Sequence, residues 1–374
     1  MAVFEDIEKI FAEFAAKKIA GHPDLNQVSP LPADIWQKMR ENKIFGLCLP
    51  ETCGGRDGNF RVLAGAASTL VAYSGNTGVA MSWLIHEIIS CRLIYRFGNT
   101  RQKNELLPDL AAGKTTASFA VSEPEIGAHP KYLRTEAVFK GNTWRLTGEK
   151  CYITNAPMAD WFIVIAKTGG VDEKNFFTAF MLHKNTPGLT IHPPTELPFL
   201  RPCPHGSLTF ANCRVSDRQI LGPRNHAYTE MAIPFRAIED ALMMSLVGGA
   251  INFVISWLGN TAGHLEALPD SELLTELGHL KCQADGIQAL SAHTADLLDK
   301  NEKDPKITTL PLFLRTQTEV FQAGVKKLAA NLSGGGLKPN ALPIARDIDG
   351  LLGIGGNTAQ IQMRKAGKSL LKPV

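Results

Sequence analysis

The spacing of the hydrophobic residues changes twice along this chain, and these two changes restrict the fold more than any other feature. Residues 1–116 carry apolar side chains at helical spacing. Residues 117–222 carry short β-rich runs separated by turn residues, and helical spacing returns over residues 223–374. We therefore predict an α+β multidomain protein with an N-terminal all-helical domain, a middle antiparallel β-domain and a C-terminal four-helix bundle.

Two further patterns refine this outline. Lys140-Gly141-Asn142 lies between two β-rich runs and predicts a hairpin turn. The candidate helices of the C-terminal bundle cover residues 228–258, 271–299, 308–332 and 357–371.

The stretches 60–74 and 77–97 are apolar on most sides, as expected of helices buried between neighbours. His86 and Glu87 stand out there because they are polar residues among apolar ones. Either they are structural groups with internal hydrogen bonds, or they line a pocket.

Composition excludes several classes of function. The formal net charge is only +3 and the basic residues form no runs, so we expect no nucleic-acid partner. The seven cysteines are an odd number without a Cys-x-x-Cys pair, which argues against a disulfide framework or a metal site and favours the reducing cytoplasm. No uninterrupted apolar run approaches the roughly 18 residues that span a bilayer, so we expect no membrane span.

Two segments in the β-rich region carry the most specific pattern. The first reads Ser-Phe-Ala-Val-Ser-Glu-Pro-Glu-Ile-Gly over residues 118–127, and the second reads Leu-Thr-Gly-Glu-Lys-Cys-Tyr-Ile-Thr-Asn over residues 146–155. Together they resemble the acyl-CoA dehydrogenase family. The order of helical, β-rich and helical regions over nearly the whole chain is similar to that family as well.

The resemblance implies that the protein binds FAD through these two segments. Val121 and Ser122 match family residues that touch the pyrimidine edge of the flavin, and Tyr152 and Thr154 match the aromatic residue and threonine beside flavin N5. A strand and its partner can present hydroxyls and main-chain amides to one face of a planar ring while the cofactor performs the redox step.

More matches to cofactor-binding residues lie near the C-terminus. Asn331, Gly334 and Gly335 are similar to the family's Gln-x-x-Gly-Gly, whose residues bind the cofactor of a neighbouring subunit. Thr358 and Gln360 match a Thr and a Gln that contact FAD in the family.

The catalytic carboxylate of most relatives is absent from this chain. Residues 355–358 read Gly-Gly-Asn-Thr where most relatives have Tyr-Glu-Gly-Thr. Gly356 therefore cannot take a proton, but its main-chain N–H could still serve the thioester oxygen of an acyl-CoA.

Glu239 is the predicted replacement base. Some family members place the base on the first long helix of the C-terminal bundle, ten residues before a glycine, and Glu239 stands ten residues before Gly249. A carboxylate facing an apolar acyl pocket should have a raised pKa, which suits proton abstraction. Asp240 and Glu87 are alternative bases, and a solvated charged turn of helix is the alternative interpretation of this segment.

The chain departs from the family pattern at further positions. Residues 259–266 lack the arginine that reaches the FAD pyrophosphate of a neighbouring subunit in relatives, and Asp240 replaces a common helix arginine. Ala128 and His129 replace the family's Ser-Asp, and with Lys131 they could meet the pantetheine or phosphates of a CoA thioester. A solvent-facing loop with ordinary charges is the alternative at these positions.

Three functions remain open from the sequence. The first is an FAD-dependent acyl-CoA dehydrogenase with its base moved to Glu239. The second is a flavoenzyme of the same fold with different chemistry, such as a desulfinase, hydroxylase or eliminase. The third is a non-catalytic subunit of a hetero-oligomer. The resemblance further implies an electron-transfer flavoprotein as redox partner and a homotetramer as the usual assembly.

Overall fold

The computed structural model describes residues 2–22, 24–172, 174–263, 271–332 and 342–371. The N-terminal helices are α1 (Ala2–Phe14), α2 (Ala33–Glu41), α3 (Phe60–Ser74), α4 (Thr77–Ile88) and α5 (Thr100–Ala111). A π-helical segment extends α1 over Ala15–Ile19, and another extends α4 over Ile89–Tyr95.

Asparagine side chains start three of these helices. The side chain of Asn59 accepts a hydrogen bond from a first-turn amide of α3, and the side chain of Asn76 does the same for α4. Asn99 and Gln102 form a capping box at the start of α5. These caps fix where the buried helices α3 and α4 begin, directly beside the C-terminal helices on which they pack.

The middle region is one twisted sheet. Its strands are β1 (Ala117–Ala120), β2 (Glu136–Lys140), β3 (Thr143–Thr154), β4 (Trp161–Val171), β5 (Lys174–His183), β6 (Leu189–Ile191), β7 (His205–Val215) and β8 (Ile220–Leu221). The strand order is β6-β7-β3-β2-β4-β5-β8, and β1 pairs with β4.

The hairpin between β2 and β3 has the predicted turn. Lys140 pairs with Thr143, and Gly141 and Asn142 both have positive φ, +57° and +67°, as a two-residue hairpin turn of this kind requires. The sheet is antiparallel except where β4 meets β1 and, at a single pair, β2. The parallel partners β1 and β4 are not consecutive in sequence, since β2 and β3 lie between them.

The C-terminal region contains α6 (Ile233–Gly263), α7 (Ser271–Lys300), α8 (Lys306–Leu332), α9 (Pro343–Gly353) and α10 (Gly356–Ser369). The helices α6, α7 and α8 pack on one another, and α6 and α7 also pack on α3, so the two helical regions share one hydrophobic core. The short helix α9 was not predicted. The helix α10 has no buried residue among its described side chains.

The helix Tyr228–Gly263, which contains α6, is the one described helix that is long and apolar enough to cross a membrane. Within its most apolar window, 72% of the residues are buried inside the protein. Packing against α3, α7 and α8 therefore accounts for the high apolar content of this helix.

Candidate functional site

The two sequence segments that carry the family resemblance lie side by side at the end of β1. The amide of Cys151 donates a hydrogen bond of 2.9 Å to the carbonyl of Ser122. The Ser118 hydroxyl donates to the carbonyl of Thr154 at 2.8 Å. These contacts hold residues 121–122 against the last residues of β3, and we call this pair of segments the platform.

A buried ion pair between Lys150 and Glu123 connects the two segments of the platform. The ammonium group of Lys150 donates to the carbonyl of Val121 at 2.7 Å and to Glu123 Oε1 at 2.9 Å. The Glu123 carboxylate also accepts hydrogen bonds from the amides of Arg134 and Thr135. The side chains of Lys150 and Glu123 are 0% and 4% exposed.

Burial and the partner's charge act in opposite directions on each member of this pair. Burial lowers the pKa of Lys150 to about 8, and the Glu123 charge opposes that effect. Burial pushes the pKa of Glu123 upward, but Lys150 and the Arg134 amide outweigh it, so that this pKa lies below its ordinary value.

The platform leaves polar and aromatic groups open to a ligand. A register shift in β3 between Lys150 and Ile153 turns Tyr152 outward, with a φ of +54° and 63% exposure. Thr154 follows Tyr152 on the same side of the strand, since side chains alternate and Ile153 points into the sheet core. Among the described residues, neither the Thr154 nor the Ser122 hydroxyl has a side-chain hydrogen bond within the protein. This donor set suits the edge and face of a planar ring such as the flavin.

The first turns of α6 lie next to the platform. The ring of Phe235 meets the ring of Phe119 on β1 at a centroid distance of 4.8 Å. Glu239 follows Phe235 by four residues and therefore lies on the same face of the helix. The predicted base thus shares the helix face that contacts β1 through Phe235.

Glu239 is largely buried, with 17% of its side chain exposed. Burial raises its pKa above the ordinary value, and Asp240 adds to this effect. Arg236, whose Nη1 lies 3.5 Å from Glu239 Oε2, opposes it. A carboxyl group with a raised pKa at this position can take up a proton.

Asp240 is engaged more tightly than Glu239. Its two oxygens lie 2.9 and 2.7 Å from Nε and Nη2 of Arg236. Arg315 on α8 lies 3.8 Å away. Of the contacts between Asp240 and Arg236 only Nε–Oδ2 has hydrogen-bond geometry, and among the described residues Oδ1 is buried with ion-pair contacts but no hydrogen-bond partner.

The turn between α9 and α10 faces the same charged cluster. Gly355 has a φ of +69°, and a Cβ atom there would collide with Nη2 of Arg236. A Cβ atom on Gly356 would meet nothing within 4 Å. Gly356 is the first residue of α10, whose N-terminus has no side-chain cap, so its amide is a candidate donor to a ligand oxygen.

Glu87 lies at a different place. Its two carboxylate oxygens accept hydrogen bonds of 2.8 Å from the amides of Gly46 and Leu47, and 1% of the residue is exposed. Burial raises its pKa to about 7. His86 is bonded through Nε2 to the carbonyl of Leu110. These contacts agree with the structural interpretation of Glu87, whereas among the described residues His86 Nδ1 is buried without a hydrogen-bond partner.

The residues predicted to meet the CoA moiety lie in an exposed loop. Ala128, His129 and Lys131 are all exposed. The hydroxyl of Tyr228 donates to the carbonyl of Ala128 at 2.7 Å, which ties this loop to the segment preceding α6. The ring of His129 lies against that of Tyr132 at 4.9 Å.

The remaining predicted cofactor residues are placed only in part. Thr358 and Gln360 are exposed on the first turns of α10. Gly334, Gly335 and the side chain of Asn331 lie outside the described residues. Within those residues, no group of three His, Cys, Asp or Glu side chains comes together as a metal ion would require.

Sequence reasoning missed the two arginines and the ion pair. Lys150 and Glu123 lie inside the quoted motifs, but their partnership was not recognised. Arg236 and Arg315 are distant from each other along the chain and match no motif, so only the fold reveals that both reach the α9–α10 turn.

Comparison with known proteins gives consistent matches. Residues 4–114 match the profile of the acyl-CoA dehydrogenase N-terminal domain, and residues 118–213 match that of the acyl-CoA dehydrogenase middle domain. A probable acyl-CoA dehydrogenase, YngJ, of Bacillus subtilis is 29% identical over 263 residues, which is 70% of this chain and 66% of that protein. The match thus spans slightly less than two thirds of this relative.

Solved structures share the fold. A probable acyl-CoA dehydrogenase from Mycobacterium abscessus superposes with a TM-score of 0.85 at 22% identity, covering 98% of both chains. A glutaryl-CoA dehydrogenase from Mycobacterium smegmatis in complex with FADH2 superposes with a TM-score of 0.84 at 22% identity, covering 99% of this chain and 95% of that one. The predicted fold class is confirmed.

Proposed function

Since this chain belongs to the acyl-CoA dehydrogenase family, we propose that it is an FAD-dependent oxidoreductase that removes hydrogen from Cα and Cβ of an acyl-CoA thioester. The observation that carries the proposal is Glu239, a largely buried carboxylate with a raised pKa, four residues after the contact between α6 and the end of β1. The predictions of an oxidoreductase and of FAD are confirmed at the level of the family.

The residues have separate tasks in this proposal. Glu239 takes the α-proton of the thioester. The amide of Gly356 donates to the thioester oxygen and stabilises the negative charge that develops there. Bound FAD would accept the β-hydride, and the product is the α,β-unsaturated thioester. Ser122 and Thr154 would hold the flavin edge through their hydroxyls, and Tyr152 would lie beside its ring.

The charge on Glu239 sets the expected pH dependence. A general base works only when deprotonated, so the rate rises with pH through its pKa. Because burial raises the Glu239 pKa, this rise should occur at higher pH than for an exposed carboxylate.

Glu239→Gln tests the assignment. The variant retains the size of the side chain but cannot act as a base, so flavin reduction by acyl-CoA should slow by about 10²–10⁴-fold. The measurement is anaerobic stopped-flow absorbance of the flavin with a panel of acyl-CoA thioesters. Glu230→Gln, at an exposed position just before α6, is the matched control and should react like the unmodified protein.

An unchanged rate in Glu239→Gln would remove Glu239 as the base. Asp240→Asn, tested in the same assay, then shows whether the neighbouring carboxylate performs the task. Mass spectrometry of the product separates simple dehydrogenation from desulfinase, hydroxylase or eliminase chemistry, because only the former yields a plain enoyl-CoA.

A second candidate is a non-catalytic subunit of a hetero-oligomer. It is favoured by glycine at position 356 and by the absence of arginine from residues 259–266. Loss of a charge-assisted contact weakens binding by about 1.5–3 kcal/mol. Purifying the chain alone and measuring flavin content decides: stoichiometric flavin with activity excludes this candidate. The electron-transfer flavoprotein, the homotetramer and the cytoplasmic location stay predictions.

A further inference from the structure

Arg315 is a buried arginine without an assigned role. It lies on α8, and its side chain is 10% exposed. Its Nη1 donates to the carbonyl of Leu352 at 2.6 Å, and its Nη2 donates to the carbonyl of Ile354 at 3.0 Å. Both carbonyls belong to the end of α9 and the turn that follows, where a helix leaves its carbonyls unpaired.

A second arginine approaches the same turn from α6. The guanidinium of Arg236 occupies the space that a side chain on Gly355 would fill. Asp240 pairs with Arg236 at 2.7 Å and lies 3.8 Å from Arg315, so one carboxylate connects the two arginines. Arg315 on α8 therefore binds the carbonyls of the turn, and the guanidinium of Arg236 on α6 lies against its other side.

This arrangement affects the main-chain amide of Gly356, which the proposed reaction uses. Gly356 follows Ile354 by two residues and has no side chain through which its position could be fixed. Among the described residues, no side chain caps the N-terminus of α10, and α10 buries no side chain of its own. The placement of the Gly356 amide thus depends on the contacts made to the preceding turn and on the contact of α10 with α8.

We propose that Arg315 is a positioning residue that sets the place of the Gly356 amide by binding the carbonyls of Leu352 and Ile354, with Asp240 linking it to Arg236. The inference rests on the proposed function for its catalytic consequence. The structural part stands independently, because the hydrogen bonds of the turn can be measured without turnover.

The test uses the full-length protein with its flavin and three variants. Arg315→Met removes both hydrogen bonds but retains much of the side-chain volume. Arg315→Lys retains the charge but replaces the two separate Nη donors by a single ammonium nitrogen. Arg364→Met, at an exposed position on α10, is the matched control.

Amide hydrogen exchange is the first readout. The amides of Ile354 and Ala359 are hydrogen-bonded to Gly350 and Gly355, so their protection reports on the turn. We expect exchange about tenfold faster or more in Arg315→Met, a smaller change in Arg315→Lys, and none in Arg364→Met. Unchanged exchange in Arg315→Met overturns the proposal.

Steady-state kinetics with the best acyl-CoA substrate is the second readout. A misplaced amide weakens an interaction made in the transition state, so kcat should fall by about tenfold or more with KM nearly unchanged, and Arg315→Lys should recover part of it. Faster exchange with unchanged kcat overturns the positioning role. If the unmodified protein oxidises no thioester, the proposed function is wrong. The hydrogen-exchange result then tests by itself whether Arg315 stabilises the turn.

Discussion

The ion pair under the platform allows a quantitative prediction. In Lys150→Met the Glu123 carboxylate stays buried, with 4% of its side chain exposed, and loses its counter-charge. The carbonyl of Val121 loses its hydrogen bond in the same variant. Removing one member of a buried ion pair costs about 3–5 kcal/mol, because the remaining charge is uncompensated. We expect the free energy of unfolding to fall by an amount of that size in Lys150→Met.

The assay is urea unfolding at neutral pH and constant protein concentration, followed by tryptophan fluorescence. Two of the five tryptophans, Trp144 and Trp161, lie in the sheet, so the signal reports on the sheet together with the helical regions. Lys17→Met removes the exposed pair with Glu13 and is the control, for which we expect little effect because water screens exposed charges. The double variant Lys150→Met with Glu123→Gln should recover part of the loss, because the glutamine carries no charge.

Lys150→Met should also weaken flavin binding, because Val121 loses one of the contacts that hold its segment against β3. A midpoint for Lys150→Met equal to that of Lys17→Met would refute the reasoning, since it would mean that the buried carboxylate does not need its partner. A large loss that the double variant fails to reduce would contradict the electrostatic explanation and leave packing as the cause.

Two other predictions concern stability. Burial raises the pKa of Glu87 from 4.5 to about 7, so the folded protein binds this proton more tightly than the unfolded chain does. The resulting stabilisation, about 3 kcal/mol, is fully present below pH 4.5 and is lost as the pH rises toward 7. Thermal unfolding across this range should show that decline, and Glu87→Gln should reduce it; a pH profile identical in both proteins contradicts the assignment. Gly355→Ala should cost about 1–2 kcal/mol because of its positive φ and should displace Arg236, whereas Gly356→Ala, with open space around its Cβ, should cost little. Thermal unfolding of the two variants compares them directly, and equal effects would disprove the strain argument.

Much of the candidate site could be predicted because its residues lie in two contiguous motifs. Val121, Ser122, Tyr152 and Thr154 come together because the segment after β1 is hydrogen-bonded to the last residues of β3, and a hairpin predicted from Lys140-Gly141-Asn142 leads into the second motif. Local patterns of this kind survive folding because turn chemistry and strand alternation act over a few residues.

Other parts could not be read from the sequence because they depend on which helices become neighbours. The short helix α9 has a weak pattern and was missed, and nothing local indicated that Arg315 would reach its end. The structural role of Glu87 follows from two amides about forty residues away, a contact that spacing along the chain does not reveal.

The sequence by itself determined the α+β class, the order of the three regions, the family and the loss of the usual carboxylate at Gly356. These depend on residue identity and on periodicity within single elements. Only the tertiary structure showed that Glu239 is largely buried with a raised pKa, while Asp240 pairs with Arg236. It also showed that Arg315 donates hydrogen bonds to the turn before Gly356. Burial and charge pairing are properties of groups brought together from distant parts of the chain, so only the packed molecule defines them.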